Sequence, residues 1–286
     1  PRSTLFPYTT LFRSIVGTDD GVVQFTADGG RTWTAAAPLP ALPPRSFIND
    51  VEASLVDPGT FYVAADAHKI GDFSPYLFVT TDRGRTWRSI AGDLPKSTIV
   101  WAIQQDHVRS DLLFLGTEFG LYFTVNGGTN WHKLSGGVPT IAFRDLKLHR
   151  RDNDLVGATF GRGFYVLDDY SPLREPTAAT LTAEAALFPV RNAWWYVPST
   201  PGQAPGRPTA GSTDFKTPNP PFGALLTYHL KEAPTTGKEA RHAVERGLRE
   251  RGADVPVPGF DLLQRESSES GPKVLLLLSG VALVLW

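Results

Sequence analysis

Thr26-Ala-Asp28-Gly-Gly30-Arg-Thr32-Trp33 recurs as Thr80-Thr-Asp82-Arg-Gly84-Arg-Thr86-Trp87 and, in a weaker form, as Thr124-Val-Asn126-Gly-Gly128-Thr-Asn130-Trp131. A short Asp or Asn side chain accepts hydrogen bonds from backbone N–H groups just downstream and closes a turn, while glycine supplies backbone angles that other residues reach only with strain. The closing Trp opens the next strand with a large apolar surface to bury between neighbouring sheets. Each copy therefore predicts a strand-to-strand corner, with Asp28, Asp82 and Asn126 in structural roles. These three residues lie 54 and 44 positions apart, a period suited to four-stranded repeats.

Apolar runs fill in the units around each corner. Gly21–Phe25, Tyr76–Val79 and Leu121–Phe123 precede the three copies; before them stand Ile15–Thr18, Phe61–Ala65 and Leu112–Leu115, and before those Phe47–Ala53 and Val100–Gln105. The order is strand A, strand B, strand C, corner, strand D. A fourth unit, 141–167, lacks the corner motif, and the first lacks a strand A. Gly17-Thr18, Gly116-Thr117-Glu118-Phe119-Gly120 and Gly157-Ala158-Thr159-Phe160-Gly161 mark the B-to-C bend. The expectation is an all-β chain: part of a β-propeller of about four blades, first and last incomplete.

The pattern Ser/Thr-x-Asp-x-Gly-x-Thr-Trp resembles the Asp-box (BNR repeat) of sialidases, sortilin-type propellers and xyloglucanase-type glycoside hydrolases. Val51–Ser54, Asp57–Thr60, Leu115–Leu121, Arg151–Leu155 and Gly161–Asp169 are similar to the last blades of large bacterial proteins called sortilin-like or glycosyl-hydrolase-like. That resemblance implies an exported protein, in the periplasm, at the cell surface or secreted, in which these blades meet further blades of the same parent chain. Through Pro220–Gly223 and Tyr228–Lys231 it extends into an immunoglobulin-like domain.

Residues 1–14 read differently: Thr4–Ser14 matches the conceptual translation of a sequencing-adapter oligonucleotide, and the chain has no methionine, even at position 1. This segment is expected to be an artefact, and the sequence a fragment of metagenomic type. Blades occupy 15–175. A Pro/Gly-rich linker packing on the propeller follows at 176–221, and a truncated β-sandwich-like segment at 222–286, with a strand over Phe222–Leu230 and one charged helix over Lys238–Arg251. The apolar run Val274–Trp286 is interrupted by Ser279-Gly280 and is shorter than the ~20 residues of a membrane span; two short strands are expected there rather than a membrane anchor.

Composition narrows the function. A net charge of -1 offers no basic footprint for nucleic acid, and zero cysteines exclude disulfides and thiol chemistry. The six histidines show no metal-ligand spacing, and no cofactor fingerprint appears. Neither metal nor cofactor is expected.

Strand alternation places the B–C and D–A loops at the end opposite the repeated corners. The candidate ligand rim is accordingly Asp19, Asp20, Asp66, His68, Glu118 and Arg162 from B–C, with Arg45, Asn49, Arg144 and Asp145 from D–A. Gly30, Trp33, Gly84, Trp87, Gly128 and Trp131 join the structural set. Two functions fit: a non-catalytic surface for protein, peptide or polysaccharide, or part of an exported glycoside hydrolase, xyloglucanase-like or sialidase-like, needing two convergent carboxyls. The first is favoured, because no catalytic pair is located. A photosystem-type assembly factor, which shares the repeat, is a third class.

Overall fold

The computed structural model describes residues 4–5, 14–193, 223–232 and 234–270. The chain divides into two compact units, with the boundary between Pro176 and Thr177.

The first unit is a partial β-propeller of four antiparallel sheets in chain order. The first holds β1 (Thr4–Leu5), β2 (Ser14–Gly17), β3 (Val23–Thr26) and β4 (Thr34–Ala35). The second holds β5 (Phe47–Ala53), β6 (Phe61–Ala67), β7 (Asp72–Thr80) and β8 (Arg88–Ser89). β9 (Val100–Gln105), β10 (Leu113–Thr117), β11 (Gly120–Thr124) and β12 (His132–Lys133) form the third, and β13 (Phe143–His149), β14 (Asp154–Thr159) and β15 (Phe164–Leu167) the fourth. β5 packs beside β9 and β9 beside β13, so these first strands form an inner wall. Because both sheet faces are covered by neighbours, β6 and β9 are buried at every residue.

One expectation is corrected here. The first sheet has a strand in the A position, since Thr4 and Leu5 pair with Ile15 and Ser14. An open strand edge presents unpaired N–H and C=O groups that a short extended segment can satisfy.

Three apolar clusters fill the spaces between successive sheets. Ile15, Val23, Val51, Phe61, Val63 and Phe78 join the first two sheets. Leu77, Val79, Ile90, Ile103, Leu113, Leu115 and Trp131 join the second and third. Phe114, Leu121, Phe143, Leu146, Leu155 and Tyr170 join the third and fourth.

The repeated corners share one hydrogen-bond pattern. Thr80 Oγ1 donates to Asp82 Oδ1 at 2.8 Å and accepts from Gly84 N at 2.9 Å, while Asp82 accepts from Thr86 N at 2.9 Å and Thr86 Oγ1 at 2.7 Å. Thr26, Asp28, Gly30 and Thr32 repeat these bonds, and Thr124, Asn126, Gly128 and Asn130 repeat all but the last, where Asn126 Nδ2 instead donates to Asn130 Oδ1 at 3.1 Å. Hydrogen bonds from Thr86 hold the Asp82 carboxyl down at about 2, and those from Thr32 lower Asp28 further.

Each later corner grips the sheet before it. Trp87 Nε1 donates to Ala37 O and Trp131 Nε1 to Ile90 O, both at 2.9 Å. A Cβ on Gly84 would meet Ala36 Cβ at 2.7 Å, and one on Gly128 would meet Ile90 O at 2.7 Å. The expectation that Trp33 is likewise a buried wedge fails: it is 43% exposed, against 7% for Trp131, and no atom lies within 4 Å of a Cβ on Gly30. No sheet precedes this corner among the described residues, so its indole has nothing to wedge against.

The fourth sheet uses another device. After β15 the chain turns through Asp169, at φ +48°, and inserts Tyr170, which is 1% exposed and lies edge-on to Phe114 with centroids 5.0 Å apart. Tyr170 Oη donates to Asp106 Oδ1 at 2.8 Å, and Arg174 donates to both Asp106 oxygens at 2.8 and 2.7 Å. Arg109 closes the clamp on the carbonyls of Arg174, Pro176 and Val125.

The second unit pairs β16 (Ala185–Leu187) with β17 (Tyr228–Leu230), shorter than the expected strand. It also contains α1 (Ala178–Thr182), α2 (Gly237–Glu250) and α3 (Phe260–Ser268). α2 is the expected charged helix, opened by a Thr236/Glu239 capping box. α3 was not foreseen; Arg241 of α2 donates to both Glu266 oxygens at 2.7 Å and so ties it to α2. The part of the expected 176–221 linker from residue 194 onward and the strands expected over Val274–Trp286 lie outside the described residues.

Trp131→Ala is expected to cost about 3–5 kcal/mol through the lost wedge, and Trp33→Ala under about 1 kcal/mol. Urea unfolding of both variants checks this; equal losses would overturn the wedge account.

Candidate functional site

Four of the ten rim candidates converge where the second, third and fourth sheets meet at the B–C end. Asp66 closes β6 and is 1% exposed, and its Oδ1 accepts from His68 N at 3.1 Å and contacts His68 Nδ1 closely. This fixes His68, whose ring stands edge-on to Trp101 at 5.7 Å. Trp101, on β9, donates from Nε1 to Glu118 Oε2 at 2.7 Å. Arg144, on β13, lays its guanidinium 3.5 Å above the Trp101 ring centroid and 3.7 Å from the same Glu118 oxygen. Phe160 lies 5.5 Å from that guanidinium and is 72% exposed.

Chemically this is a cation sandwiched between aromatic faces and flanked by a carboxylate and an imidazole. Arg on an indole face is favourable by about 0.5–2 kcal/mol, more as water is excluded. The arrangement presents flat apolar surface together with both signs of charge.

The other six candidates lie apart. Asp20 is used in its own turn, where the Thr18 hydroxyl binds it and lowers its pKa. Asp19 lines a separate cavity of about 460 Å³ with Phe47, Asn49 and Asp50. Asp145 Oδ1 sits 3.9 Å from Lys147 Nζ on the inner wall. Arg162 is exposed between Gly161 and Gly163, both at positive φ. Asn49 Nδ2 donates across to Val100 O at 2.8 Å, a bridge between first strands, and Arg45 sits exposed at φ +65°.

Two carboxyls on β5 escaped the sequence reading. Asp50 accepts from Ile103 N at 3.0 Å, and burial raises its pKa to about 6. Glu52, 3% exposed, accepts from Gln104 Nε2 at 3.0 Å; burial first, then the Asp50 charge, push it up to about 8. The available signal was Asp50-Val-Glu52, two acids at i and i+2 in the first strand of a unit. Trp101 was equally visible in Val100-Trp-Ala-Ile, an aromatic residue at the D–A end of another first strand.

His149, Asp152 and Asp154 offer ligand atoms within 4.8 Å of one another, a proximity their sequence spacing did not suggest. Asp152 is already paired with Arg151 at 2.8 Å, and Asp154 Oδ1 accepts from Asp169 N at 3.0 Å.

No protein-family model matches this sequence, nor does any curated protein. Among solved structures, the chain is similar to YCF48 bound to a D1 peptide, at 18% identity and a TM-score of 0.43 over 59% of this chain and 55% of that one. An ancestral GH74 enzyme aligns at 20% identity and a TM-score of 0.42, over 55% of this chain and 21% of that one. The GH74 xyloglucanase of Xanthomonas campestris aligns at 20% and 0.41, over 54% and 25%. The chain thus spans about half of the first structure and a fifth to a quarter of the others. At these identities and scores the likenesses assign neither ligand nor chemistry.

The raised pKa of Glu52 has a stability consequence. Its folded value, about 8, exceeds the ordinary 4.5, so folding favours the protonated form. That contribution is full below about pH 4.5 and is lost as pH rises through 8. Glu52→Gln is expected to flatten the fall in stability between about pH 5 and 8, and at pH 8 to exceed the parent by roughly 2 kcal/mol or more. Urea midpoints across that range test it; parallel profiles would contradict the assignment.

Proposed function

We propose that this propeller is a recognition module whose B–C and D–A rim binds an extended peptide, protein or polysaccharide ligand. The observation that carries this reading is the Arg144–Trp101–Glu118 stack, flanked by the exposed rings of Phe160 and Phe119. Aromatic platforms with a fixed cation and carboxylate beside them are the usual anchors of binding surfaces. In this reading the repeated corners are Asp-boxes that hold the blades. The protein is exported from a bacterium, as the sortilin-like resemblance implies, and further blades of the parent chain extend the rim.

The second reading, part of a glycoside hydrolase, draws on Glu52. A carboxyl held protonated near neutral pH is suited to general acid work. It lies on the inner wall, where its partner Asp50 shares the same strand rather than facing it across a cleft, and this favours the binding reading.

The test is binding of the full chain to a panel of plant and bacterial polysaccharides and to a peptide array. Arg144→Ala and Phe160→Ala should each weaken the best ligand by about tenfold or more while the far-ultraviolet circular dichroism of the folded protein is retained. Binding indifferent to both variants would sink the rim reading. Release of reducing sugar that disappears in Glu52→Gln would favour the hydrolase.

A further inference from the structure

A second cavity, of about 180 Å³, opens at the end of the first unit opposite the rim. It is lined by Glu52 and Leu55 of the second blade, Gln104 and Gln105 of the third, and Lys147, Leu148 and Arg150 of the fourth. Its floor is polar yet closed to solvent: Glu52, Gln104 and Gln105 are 3%, 7% and 1% exposed.

The bonding in this floor is uneven. Gln105 is fully engaged, accepting from Leu55 N and donating to Tyr62 Oη and Ser110 O. Gln104 uses its amide hydrogens on Glu52 Oε2 and Ile103 O. Among the described residues, the other oxygen of Glu52 and the carbonyl oxygen of Gln104 have no hydrogen-bond partner. Both belong to side chains more than nine-tenths buried that line this cavity, and neither is a sealed atom, so both are open to an occupant. Lys147 and Arg150 are exposed, and both act electrostatically on Glu52 from the mouth.

The complementary ligand is therefore a small one, with hydrogen-bond donors at its inner end and an anionic group at its outer end. We propose that this cavity binds a single uronic-acid sugar residue, its carboxylate held by Lys147 and Arg150 and its ring hydroxyls bonded to Glu52 and Gln104. The volume suits one pyranose ring, and Leu55 and Leu148 supply apolar surface for its C–H face. A free amino acid has the same polarity but fits less well. The Glu52 carboxyl, protonated up to about pH 8, gives an ammonium no charge to meet, while it both donates to and accepts from a hydroxyl. This pocket is independent of the rim, and its blade positions bring three sheets to one ligand.

The test is calorimetric titration of the full chain with D-glucuronate and D-galacturonate, alongside D-glucose and L-glutamate. Saturable binding of a uronate with Kd in the range of about 0.1–10 mM is expected, with glucose at least about tenfold weaker for want of the carboxylate. Lys147→Ala and Arg150→Ala are surface changes that leave the fold intact, and each should weaken uronate binding about fivefold or more, whereas Arg31→Ala should not alter it. Failure of the rim reading would leave this titration untouched. The proposal is overturned by absence of saturation, by glucose or glutamate binding as well as the uronates, or by uronate binding unchanged in both cavity variants.

Discussion

The fold depends on the contact by which one sheet closes onto the sheet before it. A four-stranded sheet with two apolar faces cannot stand alone in water; each face must be covered by a neighbour. Here the cover is fixed in register by a single group. The indole N–H of Trp87 reaches the Ala37 carbonyl and that of Trp131 the Ile90 carbonyl, while Gly84 and Gly128 let the backbones approach to distances that a methyl group would forbid. The Thr–Asp–Thr hydrogen bonds serve that contact by holding each corner at the angle that aims the Trp.

At the fourth sheet the same need is met by different chemistry. Tyr170 replaces the indole as the buried aromatic, and its hydroxyl is bound to Asp106, which Arg174 neutralises through two hydrogen bonds. A buried carboxylate is tolerable only when paired and fully bonded, and this one collects the Arg174 guanidinium, the Tyr170 hydroxyl and the Val108 and Arg109 backbone amides. The clasp between third and fourth sheets is thus ionic, where those of Trp87 and Trp131 are indoles with one neutral hydrogen bond.

These contrasts explain which parts of the molecule were legible in the sequence. The corners were, because Asp82 and its counterparts act within eight consecutive residues. The strands and α2 were, because their patterns are local. The fate of Trp33 was not, since the same eight residues give a buried Trp or an exposed one according to whether another sheet lies against them. Tyr170 carried no motif, and its role is set by Asp106, 64 positions earlier. At the rim, alternation put Glu118 and Arg144 at one end, but their meeting over Trp101 is a contact between two blades that spacing does not encode. Glu52 was missed for a related reason: an acid in a strand reads as solvent-facing until the strands of two other blades are seen to cover it.

The interlocks also have a direction. The Ala37 carbonyl is capped by an indole 50 residues further along, and the Ile90 carbonyl by one 41 residues further. The second and third blades each supply a Trp backward, to the blade already made. A chain emerging from a ribosome therefore presents every sheet in an unfastened state until most of the next repeat has followed it. Interruption of synthesis within the array leaves one blade, the last, without its clasp, and the cost of a truncated product is confined to its trailing edge.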